Sequence, residues 1–385
     1  MDTKNLKASD VYKTLSGAQK VALYNQIQLE KNGPYAYSSE VEFEPAKGAS
    51  LTTTHGMIEA RMLQGGITLS DLYIAYTISR LGICDLSSIH NYLLWLHRKF
   101  PEKPIPDKID IEGLKMRIKA LGSVGIIRIF YLSRGEQLTA TAFSITDIGA
   151  KAIKRRLEKE CMNYDPWAFT DSKEKLCGKI QVAKLVSHLL GIQGVNVNAT
   201  TSVELYDKNV NAKRRLLGKI EFEKDEHKEL MYIEPITFHY DSAIKTEMEH
   251  MEDVRDRLQM YATIITDYMS GTSNMEDKYD DVSVIFIVDD YNSMSELIRQ
   301  ILNMSMTLAN KCLVTTERLL YANRGKLYRA FYSVQEVAVN GINTPKILID
   351  NKHEAIFGKD NYNDIALSYR DICDLGLAGI CDDEK

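Results

Sequence analysis

Lys115, Arg117 and Lys119 occupy alternate positions in the run LKMRIKALGSVGIIRIFYL, interleaved with Leu114, Ile118 and Leu121. Cations set against an apolar spine suit a helix that buries one side and offers the other to phosphates and base edges. Three more basic sites fit phosphate chemistry: Arg134 in the polar loop SRGEQ, the run Lys154-Arg155-Arg156, and the run Lys213-Arg214-Arg215, read as a turn between two strands. Cations of this kind grip the backbone of a nucleic acid without reading its sequence. For the two basic runs a solvated surface is the competing reading.

A second chemistry would need carboxylates that hold Mg²⁺ and a lysine that steadies the attacking water. The segment MYIEPITFH carries Glu234, but Ile236 stands where the acid-x-lysine pattern wants its cation. Glu221 and Glu223 can supply ligands and Lys219 or Lys224 a displaced cation. The simpler reading puts the two glutamates on the solvent side of a half-buried strand. No catalytic or metal-binding residue is therefore assigned. His227, His239 and His250 match no ligand spacing and are expected on the surface. Asp289-Asp290 follow an apolar run at the carboxyl end where α/β sheets place ligands, or simply end the strand. The six cysteines form no CxxC pair, so no zinc site is expected. With no GxxxxGK[ST], GxGxxG or serine-elbow motif, no cofactor is expected either.

These residues need elements to position them. Ile111, Leu114, Ile118 and Leu121 fall on one face of a helix that Asp110 opens and Gly122 and Gly125 close. Before it, the spacing predicts helices around Met57–Met62, over Thr68–Leu81, and over Leu86–Phe100 capped by Asp85. After it come a strand at Ile126–Leu132, a loop at Ser133–Gln137, a return strand at Thr139–Ile145, and a helix over Asp147–Glu160 capped by Thr146. Beyond a break at Asn163–Asp171 the pattern becomes α/β. Helix Lys173–Leu190 precedes strands Val195–Tyr206, Leu216–Glu223 and Leu230–Tyr240; then come helix Glu247–Tyr268, buried strand Val282–Asp289, helix Ser295–Ala309 and strand Cys312–Thr315. Four regions follow: an N-terminal helical arm and connector (1–53), a first domain (54–162), an α/β domain (172–350) and a tail (351–385).

The chain is 385 residues long with a net charge of −5, so any nucleic-acid footprint must be a local basic patch. The opening MDTKNLKASD lacks the apolar core of an export signal, and no apolar run approaches the ~20 residues of a membrane span. A cytoplasmic protein with free thiols is expected.

Helix, glycine turn, two strands and a Thr-capped helix is the element order of a winged helix-turn-helix. LKMRIKALGSVGIIRIFYL followed by FSITDIGAKAIKRRL resembles the second half of bacterial winged-helix DNA-binding domains, with Leu121, Gly125, Ile126, Ile127, Thr146 and Gly149 in the matching places. The second half of the chain resembles restriction-endonuclease-like folds in element order. The whole is similar to the replication-relaxation family of plasmid and conjugative-element proteins, on IEP at Ile233–Pro235 and DRLQMY at Asp256–Tyr261.

The resemblance implies an α+β chain, a winged helix followed by an α/β domain, that binds double-stranded DNA as a homodimer. It would serve replication, mobilisation or transcriptional control in a plasmid, phage or other mobile element, beside replication or conjugation proteins. A metal-dependent nuclease targeted by the winged helix and a scaffold that binds no DNA stay open as alternatives.

Overall fold

The computed structural model describes residues 42–45, 54–106, 110–134, 137–161, 173–190, 196–207, 212–224, 226–238, 246–272, 279–289, 291–316, 319–320, 331–333, 336–339 and 342–345. The expected N-terminal helix, the break at Asn163–Asp171 and the tail from 351 lie outside them. The described residues form a mixed α+β protein that divides into two compact units. One holds Ala36–Glu226 and Tyr232–Pro235; the other holds Met1–Tyr35, His227–Met231 and Ile236–Lys385.

The first unit opens with β1 (Glu42–Pro45), α1 (His55–Leu63) and α2 (Leu69–Leu81), then β2 (Ile83–Asp85), α3 (Leu86–Lys99) and α4 (Ile111–Ser123). The strands β3 (Ile127–Arg134) and β4 (Gln137–Ile145) follow, then α5 (Asp147–Leu157). Four of these helices start where a short polar side chain satisfies an orphan amide: Thr68, Asp85, Asp110 and Thr146 accept from Asp71, Ser88, Gly113 and Gly149. β2 is too short for any hydrophobic period to announce it. It pairs antiparallel with β4, Ile83 opposite Ser144 and Asp85 opposite Ala142, in a four-stranded sheet ordered β1-β3-β4-β2. Apolar side chains of the helices (Ile74, Ile78, Ile89, Leu93, Leu114, Ile118) and of the sheet (Ile127, Phe130, Phe143, Ile145) fill the core.

Gly125 takes a left-handed φ of 74° after α4, and Ile126 N donates back to the Leu121 carbonyl at 3.0 Å, which turns the chain straight into β3. At the far end of the hairpin, the Thr146 hydroxyl donates to the Gly125 carbonyl at 2.6 Å while accepting from Gly149 N. One threonine thus caps α5 and ties it to the exit of α4.

The same unit also contains α6 (Lys173–Leu189) and the long hairpin β5 (Asn196–Asp207) and β6 (Ala212–Lys224). Sequence patterning assigns α6 to the C-terminal domain, yet it packs on α3 and β2 as well as on β5 and β6. Lys184 of α6 meets the Asp85 carboxylate at 3.2 Å, with both side chains nearly buried.

Elsewhere the chain forms β7 (His227–Ile236), α7 (Glu247–Met269), β8 (Asp281–Val288), α8 (Tyr291–Met304), α9 (Met306–Ala309), β9 (Cys312–Thr316) and β10 (Tyr332–Ser333). β8 pairs parallel with β9, and β10 pairs antiparallel with the other edge of β9. Every residue of β8 is buried, including Asp281, which pairs with Lys311, and Ser283 among the apolar residues. β11 (Glu336–Val339) and β12 (Ile342–Pro345) form a separate hairpin.

Several expectations need correction. Lys213, Arg214 and Arg215 are not in a turn: β6 begins at Ala212, and they pair with Tyr206, Leu205 and Glu204 of β5. The helix expected over Ser295–Ala309 starts at Tyr291 and is interrupted at Ser305, whose side chain accepts from Leu308 N and starts a new short helix. Ile111 is 43% exposed rather than part of the buried spine, because it sits in the first turn of α4. His250 is only 7% exposed, since its Nε2 lies 2.8 Å from the Thr237 carbonyl oxygen.

Candidate nucleic-acid interface

Advancing 100° per residue, α4 buries Leu114, Ile118 and Leu121 on one side. The opposite side carries Glu112, Met116 and Ser123, with Lys119 and then Lys115 along one flank and Ala120 on the other. All six are exposed, and Met116 is 71% exposed. Lys115 stays near its neighbour Glu112, Nζ to Oε1 3.5 Å, an interaction that water largely screens. Lys119 makes no bond among the described residues.

Arg117 falls elsewhere. It borders the buried stripe and forms a two-point pair with Asp71 of α2: Nε donates to Oδ1 at 2.5 Å and the guanidinium also reaches Oδ2. The Asp71 side chain is almost fully buried and is already the acid of the capping box on Thr68, accepting from Thr68 N at 2.7 Å and Thr68 Oγ1 at 2.8 Å. Hydrogen bonding to that carboxylate holds the Arg117 guanidinium above its usual pKa, against a smaller effect of burial. The expected trio thus divides into two outward lysines and one arginine bound within the fold.

The other basic groups are dispersed. Arg134 closes β3 opposite Gln137 at the hairpin end; its side chain lies outside the described residues. In α5, Lys154 pairs with Glu160 at 2.7 Å and Arg156 with Glu59 of α1, while Arg155 is exposed and makes no bond among the described residues. α5 packs on α2 and α1, whereas α4 packs on α3, β3 and α2. The side chains of Lys213, Arg214 and Arg215 also lie outside the described residues.

Lys219, Glu221 and Asn198 do come together. Lys219 Nζ donates to Glu221 Oε1 at 2.6 Å and Asn198 Nδ2 to Oε2 at 2.9 Å, across the β5–β6 pair. Burial first, and then the Glu221 charge, push the Tyr232 phenol up to about 12. Glu234 is 6% exposed, and Glu223 faces solvent. Among the described residues no three Asp, Glu, His or Cys side chains are placed to hold a metal ion.

His227 stands between Glu229 (3.0 Å) and Asp280 (3.6 Å). The Asp289 carboxylate accepts from Thr237 Oγ1 at 2.5 Å, which anchors the end of β8 to the end of β7. His239, Asp290 and Lys224 carry side chains outside the described residues.

Two residues escaped the sequence reading. Asp71 ends a Thr-x-x-Asp pattern (Thr68 to Asp71) from which a capping box could have been read, but its second partner lies 46 residues away. Met116 stands among the cations, at the pole of the face they were expected to fill. No helix among the described residues is long and apolar enough to cross a membrane. No family model, curated protein or solved structure matches the chain.

Proposed function

We propose that residues 69–157 are a winged helix-turn-helix that binds double-stranded DNA, with α4 in the major groove and the β3–β4 hairpin as the wing. The observation that carries this reading is the pairing of β2 with β4, Cys84 opposite Phe143. Helix, short strand, helix, helix and hairpin, with the short strand on the returning strand of the hairpin, is the winged-helix arrangement. It leaves the outer face of α4, with Glu112, Met116 and Lys119 exposed, free to meet a partner. Lys115 and Lys119 supply the phosphate contacts, and Arg134 at the wing adds one from the adjoining groove or backbone. The remaining chain serves dimerisation or partner docking, because two-fold DNA sites are read by two-fold proteins. The resemblance to replication-relaxation proteins supports a role in replication, mobilisation or transcription control of a mobile element.

The test is fluorescence anisotropy of the full chain with a random-sequence duplex pool over a salt series. The double variant K115Q/K119Q should bind more weakly at every salt concentration. Its log–log salt slope should be shallower by about two, roughly one for each lysine–phosphate pair removed. Affinity and slope equal to those of the parent protein would refute the assignment of α4.

A further inference from the structure

We infer that α4 reads thymine, through van der Waals contact of Met116 and Ala120 with the 5-methyl group, and not guanine through arginine. The inference rests on the DNA-binding reading above and specifies what that site would recognise. The major groove offers four kinds of handle: acceptor pairs on guanine suited to arginine or lysine, a donor–acceptor pair on adenine suited to asparagine or glutamine, a donor on cytosine suited to carboxylates, and a methyl group on thymine suited to apolar side chains. α4 has no asparagine or glutamine. Its one arginine is bound at two points to a buried carboxylate and borders the core side of the helix. Directly opposite the buried Leu114, Ile118 and Leu121 stands Met116, the most exposed large apolar side chain of α4, with Ala120 one turn further on. A flexible thioether side chain adapts readily to a flat methyl-bearing edge.

Charge argues for DNA as the occupant of this apolar spot. Lys115 and Lys119 line one flank of Met116, one turn apart, where a helix lying in the groove meets a phosphate strand. Glu112 shares the pole and sits beside Lys115; a carboxylate there repels phosphate and accepts from a cytosine amino group, so a cytosine next to the thymine is favoured.

The experiment starts with selection of duplexes from a random pool by the full chain, followed by anisotropy on a selected duplex in which each thymine is replaced in turn by uracil. That exchange removes the methyl group and nothing else. One or two positions should lose about four-fold in affinity, the value of one buried methyl-sized group. In Met116→Ala the same positions should become indifferent to the exchange. Met116 is exposed, so its thermal midpoint should match that of the parent protein.

A selected duplex that binds tightly but ignores uracil at every position overturns the thymine reading while leaving DNA binding intact. A pool that shows no enrichment and no binding overturns the DNA-binding reading itself. If Met116→Ala instead dissociates an oligomer in sedimentation, with the base dependence unchanged, the apolar pole is a protein contact and the inference fails.

Discussion

Asp71, the one carboxylate on α2, serves two partners. It closes the capping box with Thr68 and receives the Arg117 guanidinium, so one nearly buried side chain starts α2 and fixes the rotation of α4 about its own axis. Asp71→Ala removes both functions at once. We expect a loss of about 2 kcal/mol, from a cap and a partly exposed ion pair. Arg117→Ala should lose about half as much, because the Arg117 side chain is 40% exposed and Asp71 keeps its Thr68 bonds. Urea midpoints at unchanged m-value would measure both; a larger effect at Arg117 than at Asp71 would contradict this ranking. Local pattern made Leu114, Ile118 and Leu121 legible as a buried spine. It could not show that Arg117 turns inward, since charge type is local information and a partner 46 residues away is not.

At the level of elements, the closest approach in the hairpin-to-helix joint is at Gly149. A Cβ there would lie 2.1 Å from the Ile126 carbonyl oxygen and 2.7 Å from Ile145 Cδ1. Backbone cannot yield as a side-chain tip can, so Gly149→Ala should cost about 2–3 kcal/mol. Gly122→Ala meets only the flexible end of Ile129, 2.7 Å away, and should cost less than about 1 kcal/mol. Thermal unfolding of the two variants decides the matter, and equal midpoints would go against it.

The Thr-x-x-Gly step was readable in the sequence because both residues act within one turn. β2 was not, because three residues carry no period and exist as a strand only through β4. Lys213–Arg215 misled for a related reason: a run of cations looks like a turn, yet in a hairpin as long as β5–β6 the ladder overrides local preference.

Across the whole first unit, the bond between Asp85 and Lys184 joins the N-cap of α3 to the middle of α6. Burial raises the Asp85 pKa. Lys184 and the hydrogen bonds from Ser88 and Ser87 together outweigh it, so the net shift is downward. A carboxyl with a depressed folded pKa contributes its full stability at neutral pH. That contribution drains away as pH falls below about 4 and through the folded value. Lys184→Met leaves a buried carboxylate without its cation and should cost about 3 kcal/mol at pH 7. The deficit should shrink as pH falls toward about 4, where Asp85 can take up a proton. Denaturant titrations at a series of pH values test this, and a pH-independent deficit would argue against it.

This bond also explains why the domain boundary was hard to read. The sequence places a break at Asn163–Asp171, just before α6, but α6 is buried on nearly every side within the first unit. Lys179 and Lys184 and the apolar residues on several of its sides announce no single buried face, so the pattern does not say against what the helix packs.

The middle residue of β2 turns that strand into its own reporter. Cys84 is fully buried, and burial holds its thiol well above the ordinary range, so a thiolate cannot form while the strand is zipped to Phe143. The half-buried Cys161 belongs to the same unit and serves as the internal standard. Alkylation at Cys84 can then proceed only as fast as Ile83–Asp85 peels away from β4. The lag between the two cysteines, followed by mass spectrometry with and without duplex DNA, is a clock for how tightly a partner clamps the hairpin against its helices.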